Sequence, residues 1–385
     1  MKDISIYFNP LTEVEQVSDK GCLANVIERH TTENFPELKN KGVAIIYVPE
    51  YRRSNYTAET SNDDFRNFLG QLYEGVNWKC TIYDLGTIAP GKDIKDTYYA
   101  LSQVVEQLVK ARITPIVIGG GQDLTLSMYQ AYEKLEQLIN ITGIDAKLDL
   151  GNVEEEPFEN GWLSHILLHK PCYLFNYSNL GAQSHFIKHT EFELFEKLYF
   201  DVFRLGSLTE NLKLVEPILR NTDIASFDLS AIRSSDFSGK HYLSPNGFFG
   251  QEACQLMRYA GISDKLTAMG LFNYYSEGIS PASQALIAQL IWYFIDGYAN
   301  RKGDFPIGSK KSYKKYRVNF DEPEQEIIFN KSDKSGRWWM EVPYPNTASS
   351  KYQRHHLVPC SYEEYQEAMK GEIPDLWWKT YQKLG

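Results

Sequence analysis

Two rhythms of apolar spacing alternate along this chain. Short, continuous apolar runs recur between longer stretches whose apolar residues stand three and four apart. Val43 to Val48, Thr81 to Leu85 and Pro115 to Ile118 read as strands buried on both faces. Leu101, Val104, Val105 and Leu108 set a helix over 96–111, and Leu124 to Leu138 reads as another. Further strands are predicted at 139–144, 172–176, 199–205, 223–229 and 266–272, with helices at 190–197, 211–220, 249–260 and 282–299. Strand–helix alternation of this kind predicts a three-layer α/β/α domain over residues 1–302, with about eight mostly parallel strands.

The pattern changes after Lys302. Gly, Pro and short β-rich runs, Glu326 to Asn330 and Arg337 to Val342, replace the alternation, and a Tyr/Glu/Trp-rich end follows from Ser361 to Leu384. Residues 303–385 are expected to form a C-terminal extension packed on the main domain or projecting from it. Trp338, Trp339, Trp377 and Trp378 all fall in it, four of the seven tryptophans. Tryptophan is enriched where proteins meet, so these residues either seal the extension onto the core or are candidates for contact with a protein partner or a second copy of the chain.

Charge and cysteine content narrow the setting. A net charge of -10 argues against nucleic acid as a partner, and the basic run Lys310 to Lys315 reads as a solvated loop. Five scattered cysteines without CxxC pairs suggest reduced thiols. Met1-Lys2-Asp3-Ile4 lacks the pattern of a signal peptide, and Ala285 to Phe294 is too short and too polar at Gln289 to span a bilayer. A soluble, cytoplasmic protein without membrane insertion is expected.

The candidate chemistry lies at predicted strand ends, where open α/β sheets keep their sites. Ile118-Gly119-Gly120-Gly121-Gln122-Asp123-Leu124-Thr125 follows one strand, Asp145-Ala146-Lys147-Leu148-Asp149 another, and Ser226-Phe227-Asp228-Leu229-Ser230-Ala231-Ile232-Arg233 closes a third. The three glycines lack the spacing of a phosphate-binding loop. Histidines offer little: His165 and His169 sit in an apolar segment, His355-His356 reads as a packing pair, and His185 or His189 is at most a residue of a pocket mouth.

In this order, the three segments resemble the IGGDHSLT, DAHxD and SFDxDxxDP motifs of the ureohydrolases, the arginase, agmatinase and formimidoylglutamase family, over about residues 40–300. The formimidoylglutamase-like branch is the nearest in character, through Asn176 to Gln183 and Ser244 to Gly247. The resemblance implies a three-layer α/β fold and a centre in which two His and four Asp hold two Mn²⁺ ions that activate a hydroxide. Carried over by position, Asp145, Asp149 and Asp228 match ligands. Gln122 and Lys147 stand where the two His belong, Ser230 where the fourth Asp belongs, and Arg233 where the motif has a further Asp.

The losses are uneven. Gln122, Asp145, Asp149 and Asp228 form an oxygen-only set suited to one Mn, Mg or Ca ion, whereas the second site has lost two ligands and gained an ammonium. The expectation is no cofactor, or at most that single ion. Lys147 is expected to bridge Asp145 and Asp228 in place of the second ion, with Arg233 adding a second positive charge. On the substrate side, Asp123 is expected at the pocket, Asn273 matches the Asn of the family's DxxExNP stretch, and Leu271 occupies its Glu position. These substitutions point to an inactive relative of an amidine C–N hydrolase, serving as a binding or scaffold protein. The alternative is a one-metal hydrolase of linear amidines, with Asp123 or a nearby His as base.

Overall fold

A computed structural model describes residues 3–11, 19–39, 41–54, 56, 63–154, 156–305, 311–320, 325–345 and 352–385. Lys310 of the basic run lies outside the described residues. Nine strands form one sheet: β1 Glu28–Arg29, β2 Gly42–Val48, β3 Thr81–Thr87, β4 Ile113–Gly119, β5 Ile139–Ile144, β6 Leu174–Ala182, β7 Asp201–Arg204, β8 Ile224–Asp228 and β9 Ala268–Phe272. Their order is β1-β3-β2-β4-β9-β8-β5-β6-β7, and every pairing is parallel.

The central strands are apolar on both faces because helices cover both. On one face Ile45, Ile116, Ile144, Phe227 and Leu271 share a core with the helix Pro281–Ala299. On the other, Ile46, Val117, Ile141 and Ile224 pack with the helices Ile94–Lys110 and Leu124–Glu133. That second helix is shorter than its apolar pattern predicts. Glu136 turns the chain into the left-handed region at φ 50°, and Gln137 N–H returns to the Tyr132 carbonyl. The helix predicted at 211–220 is also divided. Asn211 accepts from Lys213 N–H and starts a 3-10 turn, Leu212–Leu214, before the α-helix Val215–Arg220.

A second, antiparallel sheet follows: β10 Tyr313–Phe320, β11 Gln325–Ser332, β12 Trp338–Glu341 and β13 Leu357–Cys360, in that order. With the helices Tyr362–Met369 and Asp375–Leu384 it encloses its own core around Phe329, Met340, Trp338 and Trp377. This unit docks where β5 to β8 begin. Arg220 donates to the Trp338 and Cys360 carbonyls at 2.9 and 3.0 Å, its guanidinium 4.4 Å from the Trp339 ring centre. Asp223 binds Arg354 at 2.6 Å and Lys265 at 3.6 Å, and His355 stacks on Phe175.

The tryptophans divide accordingly. Trp338, Trp339 and Trp377 are 7%, 0% and 2% exposed, whereas Trp378 is 48% exposed beside the exposed Tyr381. Three of the four interface candidates therefore serve the other role, sealing cores, drawn in by β12 and by the apolar side of the last helix, and Trp378 alone of the four stays exposed. Among the described residues, no helix is long and apolar enough to cross a membrane.

Candidate functional site: a carboxyl cluster at the strand ends

β4, β9, β8 and β5 are neighbours and end at one edge, so the residues after them converge. Gln122 follows β4, Asp145 follows β5, Asp228 closes β8 and Asn273 follows β9. Asp149 and Asn273 are both in the left-handed region, with φ 50° and 57°, a conformation that Asp and Asn tolerate better than most residues. Gly120 makes the approach of β4 possible, because a Cβ there would overlap the Glu50 carbonyl. The glycine run therefore serves close packing.

Gln122 is fully buried at the centre of the cluster. Its amide is oriented by its neighbours: the nitrogen donates to Asp145 Oδ2 at 2.9 Å and to Asp149 Oδ2 at 3.1 Å, while the oxygen accepts from Ser226 Oγ at 3.1 Å. Ser226 is held in turn by Thr125 Oγ1 at 2.7 Å. Trp162 Nε1 gives Asp149 Oδ2 a further bond of 2.9 Å, and Lys147 N–H donates to Asp145 Oδ1 at 2.8 Å. Ser230 caps Asp228 Oδ1 with its backbone N–H at 2.7 Å.

Burial raises all three aspartates, and for Asp145 and Asp149 the neighbouring carboxylates add to it. Asp149 is pushed up to about 7 and Asp145 well above the usual carboxylate range. Both carboxyls face the Gln122 amide nitrogen, at 2.9 and 3.1 Å, and burial beside one another favours their neutral forms.

The expected bridge from Lys147 to Asp145 and Asp228 is not formed. Lys147 Nζ donates instead to Asn160 Oδ1 at 3.1 Å, at the half-buried rim. An ammonium retains more of its hydration there than among three buried carboxyls. Its charge still lowers Asp149 and Asp228, from beyond ion-pair distance. Arg233 is also elsewhere: it pairs with Asp236 at 2.8 Å and covers Phe249. The carboxyls are met by the Gln122 amide, the Trp162 indole and the backbone N–H groups of Lys147 and Ser230 in place of those two positive charges. Leu271 likewise belongs to the core beside Ile118 and Phe227, not to a pocket.

Asp123, next to Gln122 in the chain, is 1% exposed. It accepts from Tyr98 Oη, its Oδ1 has no partner, and burial pushes its pKa up to about 7. Asn273 Oδ1 receives Gln122 N–H at 3.2 Å and lies 3.2 Å from Tyr275 Oη, whose single proton is nearest Glu159 at 2.5 Å. Trp162 and Glu159 stand in no recognisable motif and Tyr275 lies in the DxxExNP-like stretch without matching a functional position of it; Ser226 is legible through its place beside Phe227-Asp228. The histidine that borders these groups is His241, 5.5 Å from Tyr275 and 4.1 Å from Tyr56 between ring centres. His185 and His189 are exposed, and His189 faces Glu193.

Sheet and cluster together define the class: the chain belongs to the arginase family, whose family model matches residues 51–295. Over 90 residues it is 32% identical to a formimidoylglutamase of Geobacillus sp., a stretch that spans 22% of this chain and 28% of that protein. The formimidoylglutamase of Bacillus subtilis superposes with a TM-score of 0.65 at 17% identity, over 76% of this chain and 97% of that one. Trypanosoma cruzi formiminoglutamase with Mn2+2 gives 0.60 at 17% identity, over 73% and 99% of the two chains. Medicago truncatula arginase gives 0.56 at 16%, over 67% and 87%.

The residues present do not fit a two-manganese centre. Gln122 turns N–H groups toward the carboxylates, Lys147 leads out to the rim, and Ser230 occupies an Asp228 lone pair. Among the described residues, no group of three or more His, Cys, Asp or Glu side chains is arranged to hold a metal ion.

Proposed function

We propose that this chain is a non-hydrolytic member of the arginase family, in which a hydrogen-bonded carboxyl cluster stands where its relatives activate water, and that it acts by binding a protein partner or a second copy of itself. The observation that carries the proposal is the Gln122 amide nitrogen shared by Asp145 and Asp149. A donor at that point relieves carboxylate repulsion as a cation would, and leaves no lone pair on that side for a metal. Of the four tryptophans, Trp378, exposed beside Tyr381, is the one we assign to that contact.

A second reading has one observation in its favour. Asp149 Oδ1 is buried without a partner, and rotating the Gln122 amide would turn its oxygen toward Asp145 Oδ2 and Asp149 Oδ2. The result is an oxygen-only set for one hard cation. Metal analysis of protein purified with added Mn²⁺ separates the two readings when combined with assays for formamide and urea release. The non-hydrolytic reading expects substoichiometric metal and no release from formimidoylglutamate or arginine. One tightly held ion per chain together with product release would overturn it.

A further inference from the structure

At the opposite end of the sheet, where the C-terminal unit meets β5, β6 and β7, lies a cavity of about 240 Å³. Its floor is unusual for a parallel sheet. Strands covered on both faces are normally apolar throughout, yet β5 reads Ile139-Asn140-Ile141-Thr142 and β6 carries Asn176 and Ser178. The isoleucines enter the core, while Asn140, Thr142, Asn176 and Ser178 line the cavity. Asn140, Thr142 and Ser178 are only 3%, 1% and 3% exposed, and burying polar groups in a sheet costs stability unless they have partners. Several are partnered: Thr142 bonds Thr222 at 2.5 Å, and Ser178 receives Asn176 Nδ2 at 3.1 Å. Asn140 is not fully partnered. Its Nδ2 donates to the Asn221 carbonyl, but its Oδ1 has no partner.

The walls carry an imbalance of charge. Asp201 at the start of β7 and Glu364, Glu367 and Asp375 on the two C-terminal helices line the cavity with Lys379, and Lys383 Nζ donates to Asn176 Oδ1 on the floor. Lys379 is divided between Asp375 at 2.9 Å and Asp201 at 3.4 Å. Glu364 accepts from Ser361 N–H at 2.7 Å and from Ser361 Oγ, which caps its own helix, so Glu367 is the lining carboxylate without a hydrogen-bond or ion-pair partner among the described residues. Burial raises the Glu367 carboxyl, and Glu372, Glu364 and Asp375 add to the effect. The space admits a ligand of roughly ten non-hydrogen atoms or fewer.

We propose that this junction is a binding site for a small organic cation bearing hydroxyl groups, whose ammonium faces Glu367 and whose hydroxyls meet the Asn, Thr and Ser side chains of β5 and β6. The site is formed only when the C-terminal unit is docked, so occupancy would hold the two units together. It is independent of the Asp145 cluster, which lies beyond the other ends of the same strands.

Calorimetric titration of the full chain at neutral pH with protonated diethanolamine tests this. One site per chain is expected, with a Kd below about 1 mM. Glycerol, which is neutral, and lactate, an anion, are expected not to bind. Glu367→Lys at the half-buried rim is expected to weaken diethanolamine at least about tenfold, and Ser178→Leu to abolish it by filling the floor. Gln122→Leu is expected to leave it unchanged. Should Ser178→Leu fail to fold, Glu367→Lys still decides. No heat with diethanolamine, equal binding of glycerol, or unchanged affinity in Glu367→Lys would each overturn the proposal.

Discussion

Gln122 does more for the strand-end cluster than its position in a motif suggests. Its amide joins two carboxyls and is itself held by Ser226, so replacing it with an isosteric apolar residue leaves two buried oxygens short of a donor. Gln122→Leu is expected to cost about 3 kcal/mol in urea unfolding, by the usual cost of hydrogen bonds to charged groups. A loss below about 0.5 kcal/mol would mean that the amide does not serve the carboxyls. The complementary experiment restores the family pattern. With Gln122→His, Lys147→His and Ser230→Asp together, the centre regains two imidazoles and a fourth carboxylate, and Mn²⁺ binding is expected by calorimetry. A folded triple variant that takes up no Mn²⁺ would show that these positions do not share one pocket. The cluster was legible in the sequence because Asp145, Asp149 and Asp228 follow apolar runs in a recognisable order. The direction of Lys147 was not: an ammonium four carbons from its backbone goes where hydration and Asn160 meet it, and Asn160 stands in no motif.

At the scale of elements, the attachment of the C-terminal unit is concentrated in a few buried contacts. Arg220 supplies two carbonyl bonds and covers Trp339, and it is fully enclosed between the helix Val215–Arg220 and β12. Arg220→Ala is expected to destabilise the protein by about 3–5 kcal/mol, with protease cleavage appearing near the junction around residue 303. Arg220→Lys should rescue little, since an ammonium cannot reproduce the planar fork. The two adjacent tryptophans of the last helix should differ as their exposure does. Trp377→Ala is expected to cost about 3–5 kcal/mol by cavity formation, and Trp378→Ala to stay within about 0.5 kcal/mol. If Trp378 serves a partner or a second copy, its loss is expected to change the assembly mass in light scattering at unchanged stability. Helix ends were the weakest part of the sequence reading, because the turn at Glu136 and the Asn211 cap are local hydrogen-bond choices that apolar spacing does not encode.

For the molecule as a whole, the buried carboxyls give stability a direction with pH. Asp149 and Asp123 are raised from 3.8 to about 7, so between those values the folded chain holds more protons than the unfolded one. Stability from these groups is fully present below the unfolded pKa and is lost as pH rises through about 7. In the presence of a chelator, the melting temperature at pH 8 is expected to be roughly a few degrees below that at pH 5.5. A rise over the same interval would show that the cluster is compensated by a cation.

The amino-acid sequence by itself determined the parallel α/β architecture, the family, and the three carboxylates at the strand ends. Apolar runs specify strands wherever both faces are covered, and motif order survives where backbone positions do. Tertiary structure alone decided what those carboxylates meet. It turned an amide nitrogen inward and an ammonium outward, drew three tryptophans into cores, and opened a polar cavity at the far end of the strands. These outcomes depend on which groups arrive from distant segments, where burial and hydrogen-bond satisfaction, not local pattern, set the free energy.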